Sequence, residues 1–289
     1  MNSTLHRILQ KHLPTQAAKW LEGNLQALTA DPRDRDFFLA YGACARHCGK
    51  DPLPLDEADR SALTVEYPNF GATSWSADEL ARVLLLTALP TDRNLALIDR
   101  LAGSADVRET IALYKGLYFL KNADDFVPRT REGLRTNMIG VFDAIALNNP
   151  YPARYLTEDA WNHMVLKAMF MDRSMYRIYR IEDRKNPKLA DIFMDYAEER
   201  RSAHRSVSPE LWRFVAGHVS DRSLPGLQLT ITDGSDLERT AAAKAILESD
   251  YAPATDWLRQ QDLPTDNLPS WNEIGRKATS PPETVPPTY

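Results

Sequence analysis

Residues 130–172 read TREGLRTNMIGVFDAIALNNPYPARYLTEDAWNHMVLKAMFMD, and this stretch decides the fold. Leu134, Met138, Val141, Phe142 and Ile145 recur at the spacing of one apolar helix face, so residues 130–147 read as a helix. Past the corner Asn148-Asn149-Pro150-Tyr151-Pro152, the residues Trp161, Met164, Val165, Ala168 and Met169 repeat the pattern, and Leu166 and Phe170 widen it. Thr157 can cap this second helix, with Glu158 and Asp159 in its first turn, where the helix dipole favours acids.

The same stretch carries the candidate site. The back of the first helix holds Gly133, Asn137, Gly140 and Ala144. Glycines inside a helix cost about 1 kcal/mol each relative to alanine, so close approach of a backbone or a ligand is expected there. Arg135 lies beside Ile139 and Phe142, at the edge of the apolar face. It is expected to be partly buried and paired with Glu132, Asp143 or a bound anion, because an unpaired buried charge is costly.

At the corner, the residue before each proline is driven out of the helical region. Asn149 and Tyr151 are therefore expected to be extended, with Asn148 closing the preceding helix in the left-handed conformation. The corner is either a rigid turn or a rim that presents two amides and a phenol to a ligand. On the second helix Asn162, His163 and Lys167 form a narrow polar strip beside Trp161. A buried lysine shifts its pKa readily and a histidine can shuttle protons, so His163 and Lys167 are candidate general acid/base groups. Arg135, Asn137, Asn148, Asn149, Tyr151, Trp161 and Asn162 are candidate binding residues. The plainer reading of the strip is a solvated helix edge.

Outward from this stretch the chain is a succession of short amphipathic helices. Residues 3–30 read as two helices broken near Pro14. Asp34 or Asp36 opens the next, which Gly49 closes. Residues 56–62 form a possible helix. Ser76 with Glu79 makes a capping box for residues 77–89, and helices follow at 92–101 and 106–120. Beyond the centre, residues 175–181 continue the helical run and residues 188–205 form a helix. Ser208-Pro209 starts another, and Ser235 caps a helix to Glu248. Leu227–Thr232, LQLTIT, is the one respectable strand candidate. The expected fold is all-α: an irregular multi-helix array of antiparallel helix pairs, as a HEAT-like solenoid or a compact bundle, with a Pro-rich C-terminal tail. No fixed sequence repeat separates these two arrangements. The expected divisions are an all-helical domain at 1–220, a helical extension at 221–261 and a largely irregular tail at 262–289, its last ten or so residues mobile on composition.

Composition excludes several classes. Of the 289 residues 43% are hydrophobic, enough for a core, and the net charge is −5, which argues against a nucleic-acid partner. No apolar run reaches the roughly 18 residues of a membrane span. The N-terminus lacks the apolar core of a secretory signal, and the two cysteines, four apart, make no disulfide framework. These features point to the cytoplasm. Cys44, His47 and Cys48 could offer soft ligands, but His47 is off their face and no fourth ligand is signposted, so no metal is expected. The Arg173–Tyr176–Arg177–Tyr179–Arg180 stripe reads as an ordinary charged face beside Glu182 and Asp183. The phosphate-loop, dinucleotide, zincin and nucleophile-elbow motifs are absent from the sequence, and no cofactor is implied.

The run REGLRTNMIGVFDAIALNNPYPARYLTEDAWNHMVLKAMF resembles the hallmark stretch of the EboA family. DYAEERRSAHRSVSPELWR downstream and, more loosely, FFLAYGACARHCGKDPLPL near the start are similar to it too. The resemblance covers most of residues 1–220 and leaves the last 70 or so outside it. It implies a bacterial protein from a small gene cluster. Such clusters also encode a UbiA-like prenyltransferase, a sugar-phosphate-isomerase-like barrel, a TatD-like hydrolase and a dehydroquinate-synthase-like cyclase. They are associated with making or exporting secondary metabolites such as the scytonemin precursor. The resemblance carries over no reaction, cofactor or catalytic residue.

Two functions follow. The first is an accessory protein that binds a small polar pathway metabolite or a pathway enzyme. The second is a cofactor-independent enzyme that acts on a small polar, cyclitol- or sugar-like intermediate through His163 or Lys167, with Arg135 on an anionic group. A closed polar cavity would favour the enzyme, and an exposed apolar groove would favour partner binding. The sequence leaves the oligomeric state open.

Overall fold

The computed structural model describes residues 1–30 and 33–279. Every regular element among them is helical, and the one β-contact is an isolated bridge between Pro52 and Ser76. The chain forms two compact units, Met1–Trp161 and Asn162–Tyr289.

The first unit contains α1 (Ser3–His12), α2 (Thr15–Ala30), α3 (Asp34–Cys48), α4 (Glu57–Glu66), α5 (Ala77–Ala88), α6 (Thr91–Ala102), α7 (Val107–Gly116), α8 (Val127–Gly133), α9 (Ile139–Ala146) and α10 (Pro150–Tyr155). It ends within α11 (Glu158–Phe170). Helix α5 is its centre and packs on α1, α2, α3 and α7, while α7 packs in turn on α9. Its sequence ADELARVLLLTA is apolar nearly all round, and Leu80, Ala81, Val83, Leu84, Leu85 and Leu86 are all buried, as a helix without a solvent face must be. The Ser76–Glu79 capping box forms as expected, and Gly49 closes α3 at φ 82°. Gly116 lets α7 approach α5: a Cβ there would stand 2.8 Å from Leu86 Cδ1.

The second unit adds α12 (Pro187–Ser202), α13 (Trp212–Val215), α14 (Leu224–Asp233), α15 (Asp236–Leu247), α16 (Ala252–Leu258) and α17 (Trp271–Ala278). Helix α15 packs on α13, α14, α16 and α17. Its buried residues are Ala241, Ala242, Ala243, Ala245 and Ile246, and the four alanines let neighbouring helices come close.

Several expectations need correction. Residues 130–147 are not one helix: α8 stops at Gly133 and α9 starts at Ile139. At the break the Arg135 and Thr136 N–H groups bond three residues back, to Glu132 O (3.0 Å) and Gly133 O (3.1 Å). Tyr114 and Ile145 pack directly on Gly133, so no side chain fits there. Thr136 Oγ1 then accepts the Met138 N–H (3.1 Å) and restarts the helix. The wheel drawn over 130–147 therefore fails at Met138, which is 57% exposed.

Leu227–Thr232 is not a strand but lies within α14. Its β-branched residues suggested a strand, yet Leu227 and Ile231 fall four apart and are both buried, and packing overrides propensity. Tyr151 is not extended. It sits in the first turn of α10 between Pro150 and Pro152, where the amide a proline lacks would have had no helical partner anyway. Residues 175–181 do not continue α11, since Asp172 turns left-handed at φ 53° and only a 3₁₀ turn at Met175–Arg177 follows. The stretch expected as a largely irregular tail holds the regular helix α17. The residues expected to be mobile, 280–289, lie outside those described.

Candidate functional site

The corner is built as structure. Asn148 adopts φ 54°, as expected, and its Nδ2 donates to Ala72 O (3.0 Å), which ties the corner to the loop at 67–75. Asn149 caps α10: its Oδ1 accepts the Tyr151 N–H (2.9 Å) and its Nδ2 donates to Ala144 O (2.8 Å). The Tyr151 hydroxyl donates to Ala123 O (2.6 Å), and burial pushes its pKa up. All three side chains are buried. The two amides and the phenol that could have faced a ligand are engaged by the protein itself.

Arg135 overturns its expectation of burial. Its side chain is 78% exposed and its guanidinium lies 3.4 Å from Glu132. With α8 ended at Gly133, Arg135 leaves the helix surface that would have covered its stem. The expected partner is thus present, but as a solvated pair. Asn137 is exposed on the same linker.

On α11, Trp161 is buried. Within the second unit Asn162 is buried and forms a reciprocal amide pair with Asn186, at 3.1 and 2.9 Å. His163 is exposed and Lys167 half-buried, and desolvation lowers the Lys167 pKa. That desolvation favours the neutral, basic form of Lys167.

Cys44 and Cys48 are buried thiols. Burial pushes Cys44 well up and Cys48 to about 12, as for unreactive buried thiols. His47 faces away and stacks on Trp20 at 4.2 Å. Elsewhere His12, Asp56 and Asp59 converge. The Lys11 ammonium already supplies the cation there, 2.5 Å from Asp56 and 2.9 Å from Asp59. Arg180 pairs with Asp183, as an ordinary charged face would.

Two buried charge networks were not foreseen. In the first unit Asp78 accepts from Arg82, from Arg108 Nη2 (2.7 Å) and from Ser76 Oγ (2.6 Å), and Arg82 Nε donates to Tyr41 O (3.1 Å). Burial raises the Asp78 carboxyl, and these donors outweigh it, leaving it below its usual range. The signal available in the sequence was the i,i+4 Asp78–Arg82 pair inside an apolar helix. In the second unit Glu210 accepts the Met175 and Tyr176 N–H groups (3.0 and 2.9 Å) and Arg213 Nη1 (2.8 Å). Burial pushes this carboxyl up against those donors. Arg213, fully buried, also reaches Asn272 on α17 (3.1 Å).

An open groove of about 430 Å³ lies between α2 and α3. Trp20 and Asn24 line one side, and Phe38, Leu39, Ala43 and Arg46 the other. Leu39 is 59% exposed, and no helix among the described residues is long and apolar enough to cross a membrane. A second hollow of about 420 Å³ is lined by Asn2, Leu86, Asn94 and Phe119 among others.

No curated protein and no solved structure matches the chain. The family model of EboA, described as metabolite traffic protein EboA, matches residues 1–216; most of the chain falls inside that match, and the chain belongs to the EboA family.

Proposed function

We propose that this protein is an accessory binding protein of a bacterial secondary-metabolite pathway, working in the cytoplasm, and that it holds a pathway compound in the groove between α2 and α3. A single contrast carries the reading. The buried corner side chains Asn148, Asn149 and Tyr151 are bonded within the protein, whereas the α2–α3 groove is open and apolar, with two polar groups, Asn24 and Arg46. An exposed apolar groove alone would favour a partner protein, but this one runs only about 12 Å along α3, short for a protein partner, while its volume and its apolar lining with a few polar groups suit a small molecule. The family description, metabolite traffic, fits a protein that binds and hands on.

The test is untargeted metabolite profiling of a deletion strain complemented with the wild-type chain or with Ala43→Trp, which fills the groove. Wild type restores the pathway compound and Ala43→Trp does not, at equal protein level. Full restoration by Ala43→Trp would refute the reading.

The enzyme reading keeps one observation in its favour, the desolvated amine of Lys167. Under it, Lys167→Met abolishes the pathway compound while Ala43→Trp leaves it intact.

A further inference from the structure

We infer that the α2–α3 groove takes an amphiphilic anion: a flat apolar body laid against Trp20 and Phe38, with one carboxylate, sulfate or phosphate group on Arg46. This rests on the reading of the groove as a metabolite site and adds the ligand's chemical class.

The first argument is size. The lining on α3 runs from Phe38 to Arg46, which at a rise of about 1.5 Å per residue is about 12 Å. That length suits a molecule of two or three fused rings. It is short for a docked partner helix, which needs several turns of contact and about 800 Å² on each side.

The second argument is shape. His47 stacks on Trp20 with the rings 6° from parallel, which fixes the indole as a flat wall, and Ala43 leaves room beside it. The third is charge. Arg46 lines the groove in the last turn of α3, and among the described residues no carboxylate forms an ion pair with it. The nearby acid is Glu109, whose Oε1 would stand 3.3 Å from a Cβ on Gly42. Its Oε2 accepts the Asp106 N–H (3.0 Å) in the capping box of α7, so it is held toward that helix N-terminus. An anionic head on Arg46 thus gains a guanidinium with donors to offer, in a geometry that suits planar two-oxygen groups.

The experiment is a fluorescence titration of the full chain with two probes of one shape, anilinonaphthalene sulfonate and its neutral parent phenylnaphthylamine. Wild type binds both saturably at one site and the sulfonate more tightly. Arg46→Ala weakens the sulfonate about tenfold and changes the neutral probe by less than about twofold, with an unchanged melting temperature. Ala43→Trp, or the milder Ala43→Leu should the tryptophan impair folding, displaces both probes.

Equal sulfonate binding by wild type and Arg46→Ala overturns the anion assignment, as does the absence of a saturable site. If both probes are lost in the filled variant but Arg46→Ala has no effect, the anion assignment fails while the groove remains a site for apolar compounds. If the filled variant excludes both probes yet fully restores the deletion strain, it is the underlying reading that fails.

Discussion

Gly275 of α17 lies directly against the Glu210 carboxylate. A Cβ on Gly275 would collide with Oε1, stand 2.7 Å from Cδ, and meet the Tyr176 ring at 2.9 Å. Glu210 in turn holds Met175, Tyr176 and Arg213. One small residue thus lets a late helix dock on the acid that organises the second unit.

Gly275→Ala should therefore destabilise the protein by roughly 1–3 kcal/mol, the usual cost of overpacking a tight contact. Its cost cannot be relieved by a side-chain swing, because the carboxylate is fixed by three donors. Urea denaturation of wild type and variant measures it, and an unchanged midpoint would mean that the carboxylate has room to move.

The Asp59 carboxylate predicts a pH dependence. It is buried on α4, with His12 Nε2 at 2.5 Å and Lys11 Nζ at 2.9 Å. Burial alone would raise its pKa, but these partners outweigh it and hold the carboxyl well below its usual range. Because the folded pKa lies below the unfolded one, about 3.9, the stabilisation is fully present above that value and fades as the pH falls toward the folded pKa. The stability gap between wild type and Asp59→Asn should thus be constant from neutral pH down to about pH 5 and narrow progressively below it. Denaturant midpoints at several pH values test this, and a gap that widens on acidification would reverse the sign.

Asn162 and Arg135 separate scaffold from site. Asn162→Ala leaves the half-buried Asn186 amide without its reciprocal partner and should cost about 1–3 kcal/mol. Arg135→Ala removes a solvated pair and should change stability by less than about 0.5 kcal/mol. Both variants should bind the groove probes like wild type. Loss of probe binding in Arg135→Ala with stability intact would return that residue to the ligand contacts.

The sequence was legible where its signals are local. Ser76 with Glu79, Gly49 and left-handed Asn148 are set by one residue and its near neighbours, and each forms as read. It misled where distant groups decide. Gly133 read as a glycine inside a helix because Tyr114, which packs on it, lies 19 positions earlier. Arg135 then lost the helical surface that would have buried it. The groove was invisible for the same reason: Trp20 and Arg46 sit on different helices, and only the packing of α2 on α3 brings them together.

The last prediction concerns α17, which composition alone assigned to a largely irregular tail. Its amphipathic spacing puts Trp271, Ile274 and Gly275 inward, all buried, and Ser270 with Glu273 gives it a capping box. Trp271 Nε1 donates to Glu248 Oε2 (2.8 Å), and Asn272 Oδ1 accepts from the fully buried Arg213 (3.1 Å). Ending the chain after Pro269 removes all of these at once. Burial of a large aromatic and an isoleucine is worth about 1.5–3 kcal/mol each, and the Arg213 guanidinium keeps Glu182 and Glu210 but gains water on its third side. The truncated chain should therefore lose roughly 3–6 kcal/mol by that scale and melt well below the full chain. A second truncation, ending after Thr279, keeps every one of these contacts and serves as the control. Equal melting temperatures for the two truncations would show that α17 contributes nothing to the second unit, and would remove the explanation offered for Gly275.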